Sequence, residues 1–312
     1  MSAKNIEHLI GNIRNSRGPA NFDMQSADPD TGQSESEKIE LITVQDIRRE
    51  IPQVEGTAII LQRNAKDDRQ DPESSDYGAL VSAAAEKARL GAKEFFSEIF
   101  AGLGPEEIKS LDIMVVASDA TLITEKGQTS PHKRAVETAE QVISGLQEAM
   151  AEHSVSDEQL LNNAASAHQG PIELSGLRDL RALEDSPEFI KFLQAKWGDK
   201  FWLAFEDDSE RETRIAMGAE GPIEIANRVK YFLTVIANAM KVYHQENPGR
   251  RVIVWAVSHY DSISPYIKEH VAKMDTLKTY LPVEQGGGIT ITISPDGQVK
   301  TKIKDTDYSI SL

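Results

Sequence analysis

Three short clusters of polar residues in the sequence combine guanidinium, amide and imidazole groups of the kind that bind anions. They are Arg63-Asn64-Ala65-Lys66, the segment SPHKRAVETAE at 130–140, and Ser258-His259-Tyr260-Asp261. A guanidinium can hold a phosphate through two parallel hydrogen bonds. A helix that begins near residue 130 would add unpaired N–H groups and the positive end of its dipole. Together the clusters predict an anion pocket with Arg63, Arg134 and His259 as donors.

Each of these residues also has an ordinary structural interpretation. An arginine at the end of a strand is more often half of a surface ion pair. A histidine in an apolar setting is more often a structural residue whose hydrogen bonds are satisfied. The functional hypothesis therefore depends on the three clusters meeting at one place.

Compact apolar segments precede the clusters and are typical of buried strands. These segments are TAIILQ at 57–62, DIMVVAS at 112–118 and RVIVWAV at 251–257. Long helical patterns separate them, at about 79–101, 130–151 and 222–246. Apolar strands that alternate with long helices predict an α/β fold with a mostly parallel sheet and helices on both faces. Ligands bind such sheets at the carboxyl ends of the strands, which is where the clusters follow.

Local signals predict further elements. Ser130 followed by Pro131 predicts a helix start, with serine as N-cap and proline at the first position. Thr43 predicts a short helix before Pro52, and a helix is expected near 264–278.

The alternating segments ITITIS and QVKTKIK flank Pro295-Asp296-Gly297, so they predict a C-terminal β-hairpin at an edge of the sheet.

The N-terminal region differs in composition from the rest. Residues 16–38 are rich in Gly, Pro, Ser and Asp, which predicts a flexible linker after a short amphipathic helix at 4–15. That helix is expected to fold back on its own domain; the alternative is an arm, residues 1–15, that binds a protein partner. Residues 39–312 are predicted to form a single domain with a helical insertion at about 153–220.

Composition excludes several classes of protein. The chain has 312 residues and no cysteine, so a disulfide scaffold and a thiolate metal site are excluded. Its formal net charge of −16 argues against binding to nucleic acid or to an anionic membrane surface. There is no apolar stretch of signal-peptide or membrane-spanning length, so a cytoplasmic location is expected. The histidines show no metal-ligand spacing, and no cofactor is expected.

Segment 130–140 resembles the second signature of the histidine phosphatase (phosphoglycerate mutase-like) superfamily, Ser-Pro-x-x-Arg-Ala-x-x-Thr-Ala-Glu. VIVWAVSHYD is similar to the last signature, a buried strand that ends in Ser-His, and TAIILQRN to the first, which ends in Arg-His. GAEGPIEIANRVKYFL at 218–233 resembles the family stretch before the last strand. The order and approximate spacing match over about 57–265. The resemblance implies a phosphoglycerate mutase-like three-layer sandwich.

Carried over by position, the resemblance implies a phosphate pocket formed by Arg63, Arg134 and His259, with Ser130 at the helix start. The ligand would be a phosphorylated small molecule or a phosphoprotein. The insertion at 153–220, which would select among substrates, matches no pattern that identifies one.

Asn64 falls on the position of the histidine that attacks phosphorus in the family. An amide nitrogen is not a nucleophile, because its lone pair is delocalised into the carbonyl. Phosphoryl transfer through position 64 should therefore fail, although the amide can still donate a hydrogen bond to phosphate. The family's proton-donating carboxylate lies after the second signature, which implies Asp179 first and Glu173 second.

Three functional hypotheses remain from the sequence. The first is a non-catalytic module, a pseudophosphatase, that binds a phosphorylated ligand or a partner protein. The second is a phosphomonoester hydrolase or mutase in which asparagine has replaced the nucleophile and traps the substrate complex. The third, in which His132 or His259 replaces the missing nucleophile or base, is disfavoured because His259 is needed as a donor.

Overall fold

The computed structural model describes residues 39–49, 51–52, 55–68, 74–121, 130–161, 170–174 and 186–312. The expected N-terminal helix and linker, residues 1–38, lie outside the described residues, and so does Asp179. None of the helices that are described is long and apolar enough to cross a membrane.

The core of the fold is a seven-stranded sheet with the order β3-β2-β4-β1-β5-β6-β7. In this order the first four strands are parallel to one another, and each of the last three pairs antiparallel with the strand before it. The strands are β1 (Gly56–Arg63), β2 (Leu111–Ser118), β3 (Ile172–Leu174), β4 (Arg251–Ser258), β5 (Gly288–Ile293), β6 (Val299–Ile303) and β7 (Thr306–Ile310).

The central strands are buried on both faces. In β4, Val252, Val254 and Ala256 pack into one hydrophobic core, whereas Ile253 and Trp255 pack into another on the opposite face. Successive side chains of a strand point to opposite faces, so a strand covered on both sides must be apolar throughout. This burial explains why the three apolar segments could be identified in the sequence.

Helices cover both faces of the sheet. The α-helices are α1 (Ser82–Gly102), α2 (Pro105–Lys109), α3 (Arg134–Glu152), α4 (Pro187–Trp197), α5 (Phe201–Glu206), α6 (Arg211–Ala216), α7 (Pro222–Glu246) and α8 (Tyr260–Tyr266). Residues of α1 and α3 join the core on one face, and residues of α7 and α8 join the core on the other. The predicted fold class, a mostly parallel α/β sheet in a three-layer sandwich with a C-terminal hairpin, is confirmed.

Close packing of α1 against α3 requires a glycine. A Cβ atom at Gly145 would overlap the carbonyl oxygen of Arg89 on the neighbouring helix. The small residue lets the two backbones approach, and this contact fixes α3 over the sheet. Since α3 begins with Arg134, the contact also fixes one residue of the candidate site.

Several elements differ from their predictions. The chain from Thr43 forms only one 3₁₀ turn, Val44–Asp46, because the Asp46 carboxylate accepts the Thr43 N–H at 2.8 Å and closes the turn. The helix expected near 264–278 begins at Tyr260, directly after β4, and continues as a π-helical turn, Ile267–Val271.

Two strands were not predicted. Strand β3 has only three residues and lies in a region with a helical sequence pattern. Strand β7 extends the predicted hairpin to three antiparallel strands, but its residues are mostly exposed or half-buried and give little apolar alternation. Both depend on pairing with a neighbouring strand rather than on their own sequence.

Candidate functional site

The three polar clusters lie at the carboxyl edge of the parallel strands. Strands β2, β4 and β1 are neighbours, and Arg63, the last residue of β1, is paired in register with Ser258, the last residue of β4. Ser118 ends β2 on the other side of β4. The sheet itself therefore places the first and third clusters side by side.

Backbone hydrogen bonds fix the first cluster to the other two. The Asn64 N–H donates to the Ser258 carbonyl at 2.8 Å. The Ala65 N–H donates at 3.0 Å to the hydroxyl of Thr138, which in turn donates to the Arg134 carbonyl at 2.7 Å. One dipeptide, Asn64-Ala65, thus connects the end of β4 with the first turn of α3.

Arg63 lies against the C-terminal part of the chain. Its guanidinium donates to the Val283 carbonyl and lies over the Tyr260 ring, with 5.3 Å between Cζ and the ring centroid. Its backbone N–H donates to the Gly287 carbonyl at 2.8 Å. The charge is therefore held at the edge of the site by an acceptor and by an aromatic face.

Asn64 occupies the centre of this junction and is 4% exposed. Its side-chain amide donates to the Ala65 carbonyl at 2.8 Å. This bond within the loop fixes the orientation of the amide. The carboxamide supplies hydrogen-bonding groups at this position and no nucleophile.

Arg134 is buried at the start of α3 beside a carboxylate that the sequence analysis did not single out. Its Nη1 atom lies 3.5 Å from Oδ2 of Asp67, and both side chains are less than a tenth exposed. Asp67 follows Arg63 by four residues in the acidic continuation of the first cluster, which was the only signal for it. The pair places a negative charge next to one of the predicted phosphate donors.

His259 is buried between β4 and α8. Its Nε2 atom lies 3.2 Å from the Ser118 hydroxyl at the end of β2. His259 has extended backbone angles and is the N-cap residue of α8, so the helix starts as soon as the strand ends. This contact connects the third cluster with β2.

Ser130 does not cap a helix, contrary to the prediction. Its hydroxyl donates to the Tyr77 carbonyl at 2.8 Å and accepts the His132 N–H at 3.1 Å, so it stabilises a turn. Helix α3 begins four residues later, at Arg134, with Lys133 as the N-cap residue. Ser130 therefore anchors the segment after β1 to the approach to α3.

His132 is engaged by two acceptors. One ring nitrogen lies 2.8 Å from a carboxylate oxygen of Glu137, and the other lies 2.9 Å from the Ser75 carbonyl. Burial lowers the pKa of His132, but the bonds to Glu137 and Ser75 outweigh it, and the pKa is raised above 6.5. Both ring nitrogens are engaged by these acceptors, which argues against His132 as the replacement nucleophile.

The resemblance implies two carboxylates as candidate proton donors, and one of them lies within the described residues. Asp179, the first choice, is outside the described residues. Glu173, the second choice, lies in β3 opposite Ala117, one residue before the end of β2. Its backbone is therefore at the same edge of the sheet as the three clusters.

Comparisons with known proteins find similarity among solved structures and none among protein families or curated sequences. The sequence matches no protein-family profile and no curated protein sequence. A crystal structure of phosphoglycerate mutase from Bacillus anthracis str. Sterne matches with 15% sequence identity and a TM-score of 0.41, over 80% of this chain and 92% of that chain.

Proposed function

We propose that this chain is a histidine phosphatase superfamily protein that binds a phosphate group at the carboxyl edge of its parallel sheet and lacks phosphohistidine chemistry. The observation that carries the proposal is the junction at Asn64-Ala65. Three segments that resemble the family signatures, far apart in the sequence, are hydrogen-bonded to one another there. A chance match to one signature would not explain this meeting.

The charges of the site favour a phosphate over a neutral ligand. Arg63 and Arg134 bring two permanent cations to this edge of a chain whose net charge is −16. His259 adds an imidazole at the end of β4, and α3 starts at Arg134 with its positive dipole end. A phosphorylated small molecule or a phosphoprotein supplies the matching dianion.

The same geometry opposes catalysis through a phosphoenzyme. The carboxamide of Asn64 cannot form a phosphoramidate bond as a histidine nitrogen does. His259, the imidazole at the end of β4, contacts Ser118, and His132 contacts Glu137 and Ser75. Loss of a covalent nucleophile typically lowers turnover by about four to six orders of magnitude.

A second candidate, a module that binds a protein partner without phosphate, is favoured by one observation. Asp67 already places a carboxylate 3.5 Å from Arg134, where it competes with an incoming anion for the guanidinium. In this alternative the Arg134–Asp67 pair is a permanent structural feature. The two candidates predict different effects of removing the Asp67 charge on phosphate binding.

Calorimetric titration with inorganic phosphate tests the proposal. We expect Arg63→Ala and Arg134→Ala each to weaken phosphate binding about tenfold or more, because each removes a charged hydrogen-bond donor. Arg211→Ala, a change on the exposed surface of α6, is the control and should leave the affinity unchanged. Absence of phosphate binding by the unmodified chain and by Asp67→Asn would contradict the proposal.

The variant Asp67→Asn separates the two candidates in the same titration. Under the phosphate-site proposal it raises phosphate affinity several-fold, because it removes a negative charge that repels phosphate from the neighbourhood of Arg134. Under the protein-module alternative it leaves phosphate binding undetectable. Thermal unfolding of the variant establishes whether the change has kept the fold intact.

A further inference from the structure

A buried ion pair between Lys268 and Glu206 is connected to Arg63 through Tyr260. Lys268, on the π-helical turn, is fully buried and Glu206, at the end of α5, is 3% exposed. The Lys268 ammonium donates to the Glu206 carboxylate and to the carbonyls of Thr276 and Thr279, at 3.0 and 2.9 Å. All three of its N–H donors therefore have acceptors, which is the condition for burying an ammonium.

The other oxygen of the Glu206 carboxylate contacts α8. It accepts the hydroxyl of Tyr260, and the Ser264 hydroxyl lies 3.4 Å away. Burial raises the pKa of Glu206, while the Lys268 ammonium acts in the opposite direction. The carboxylate therefore fixes the position of the Tyr260 hydroxyl from one end.

Arg63 and Trp202 also contact the Tyr260 ring. The Arg63 guanidinium lies over it at 5.3 Å, and Trp202 contacts it in an edge-to-face arrangement with 5.5 Å between centroids. Tyr260 immediately follows His259, so this ring belongs to the third cluster. A continuous series of contacts thus runs from Lys268 through Glu206 and Tyr260 to Arg63.

We propose that Glu206 is a positioning residue, which holds the Arg63 guanidinium at the anion site by fixing the Tyr260 ring beneath it. The part that concerns ligand binding rests on the proposed function; the positioning of Arg63 does not. Glu206 lies within the insertion expected at 153–220, so the insertion would control the orientation of an arginine in the first cluster. A guanidinium held in place loses less rotamer freedom when it binds an anion.

The first step of the test measures Arg63 directly, without any ligand. In the full chain with labelled arginine, the Arg63 side-chain protons should show an upfield ring-current shift from Tyr260, assigned with Arg63→Lys. Tyr260→Phe keeps the ring and the Lys268–Glu206 pair but removes the hydroxyl that anchors it. We expect this variant to broaden or reduce the shifted Arg63 signals, whereas Tyr231→Phe on α7 should leave them unchanged.

A double variant removes the anchor without leaving a buried charge unpaired. Glu206→Gln leaves Lys268 buried without its carboxylate and can fail to fold, since an uncompensated buried charge is strongly destabilising. The double variant Glu206→Met with Lys268→Met replaces both charges with apolar side chains of similar volume. It should alter the Arg63 signals as Tyr260→Phe does.

Phosphate titration of the same variants completes the experiment. We expect Tyr260→Phe to weaken phosphate binding about fivefold, the usual effect of one lost hydrogen bond. Altered Arg63 signals in a chain that never binds phosphate would support the positioning role and contradict the proposed function. Unchanged Arg63 signals in both Tyr260→Phe and the double variant would overturn the inference, whatever happens to phosphate binding.

Discussion

The two edges of the parallel strands both bury a carboxylate next to an arginine, but the geometry differs. At the amino edge, Asp112 of β2 accepts two bonds from the Arg250 guanidinium, with 2.8 Å to Nε, and a third from the Tyr243 hydroxyl at 2.6 Å. At the carboxyl edge, Arg134 and Asp67 approach only to 3.5 Å. Charged hydrogen bonds that hold a fold together are typically 2.7–2.9 Å long.

This difference indicates which edge stabilises the fold and which can exchange partners. The Asp112 carboxylate is saturated with short bonds and 1% exposed, an arrangement that leaves no place for a ligand. The Arg134–Asp67 pair is also buried, but its separation is longer than a charge-assisted hydrogen bond. A phosphate that binds Arg134 would therefore compete with a longer contact than the ones that hold Asp112.

The largest expected effect separates the two edges by stability. Asp112→Ala removes the acceptor for Arg250 and Tyr243, so we expect it to lower the free energy of unfolding by about 3 kcal/mol. Asp67→Ala should cost less, about 2 kcal/mol, because the contact it removes is longer, although Arg134 stays buried. Denaturant unfolding of both variants measures the difference, and equal losses would break the comparison.

The next effect concerns the junction at the carboxyl edge. Thr138→Val keeps the shape of the side chain but leaves the Ala65 N–H without its hydroxyl acceptor, so we expect a loss of about 1–2 kcal/mol. Thr138→Ser, which retains the hydroxyl, should recover most of it. A valine variant as stable as the unmodified chain would show that the junction does not depend on this bond.

A smaller effect concerns pH at the amino edge. His244 lies 3.0 Å from the Thr57 hydroxyl, and burial lowers its pKa below 6.5 against the influence of Glu55 and Asp112. Because the folded state binds this proton less tightly, its contribution to stability is complete above about pH 6.5 and is lost as the pH falls. The stability difference between the unmodified chain and His244→Gln should therefore shrink below that pH. A constant difference would contradict the assignment.

The smallest effect has the opposite sign and lies at the carboxyl edge. The pKa of His132 is raised, so its contribution is complete below about pH 6.5 and is lost as the pH rises through the folded-state pKa. Its side chain is 27% exposed, so we expect less than about 1 kcal/mol. Urea unfolding of His132→Gln between pH 5 and 9 should show the difference from the unmodified chain shrinking as the pH rises.

The central elements could be predicted from sequence because their signals are local. Strands β1, β2 and β4 are buried on both faces and therefore read as continuous apolar segments. Pro222 starts α7 at the predicted position, since proline at the first helical position needs no distant partner. The adjacency of the clusters followed from the rule that parallel strands present their carboxyl ends at one edge.

The remaining features depend on partners that are distant in sequence. Ser130 carries the local signal of an N-cap, but its hydroxyl bonds to Tyr77, 53 residues earlier, and the helix starts at Arg134 instead. No local sequence pattern distinguishes Asp67 or Glu206 from surface carboxylates, whereas the fold places Arg134 and Lys268 beside them. Local sequence patterns do not show which charges will meet in the folded chain. These parts of the site were therefore not predicted.

The measurement that most directly tests the central claim compares this chain with Asn64→His. Both proteins are assayed for hydrolysis of a generic aryl phosphate and for incorporation of acid-labile phosphate, with Arg134→Ala in the Asn64→His background as a control. We predict no turnover and no phosphoenzyme from the unmodified chain. Asn64→His should gain both, and the control should lose them. Two results would contradict the account. One is turnover by the unmodified chain at a rate that Asn64→His does not increase. The other is no turnover by either protein on a broad panel of phosphate esters.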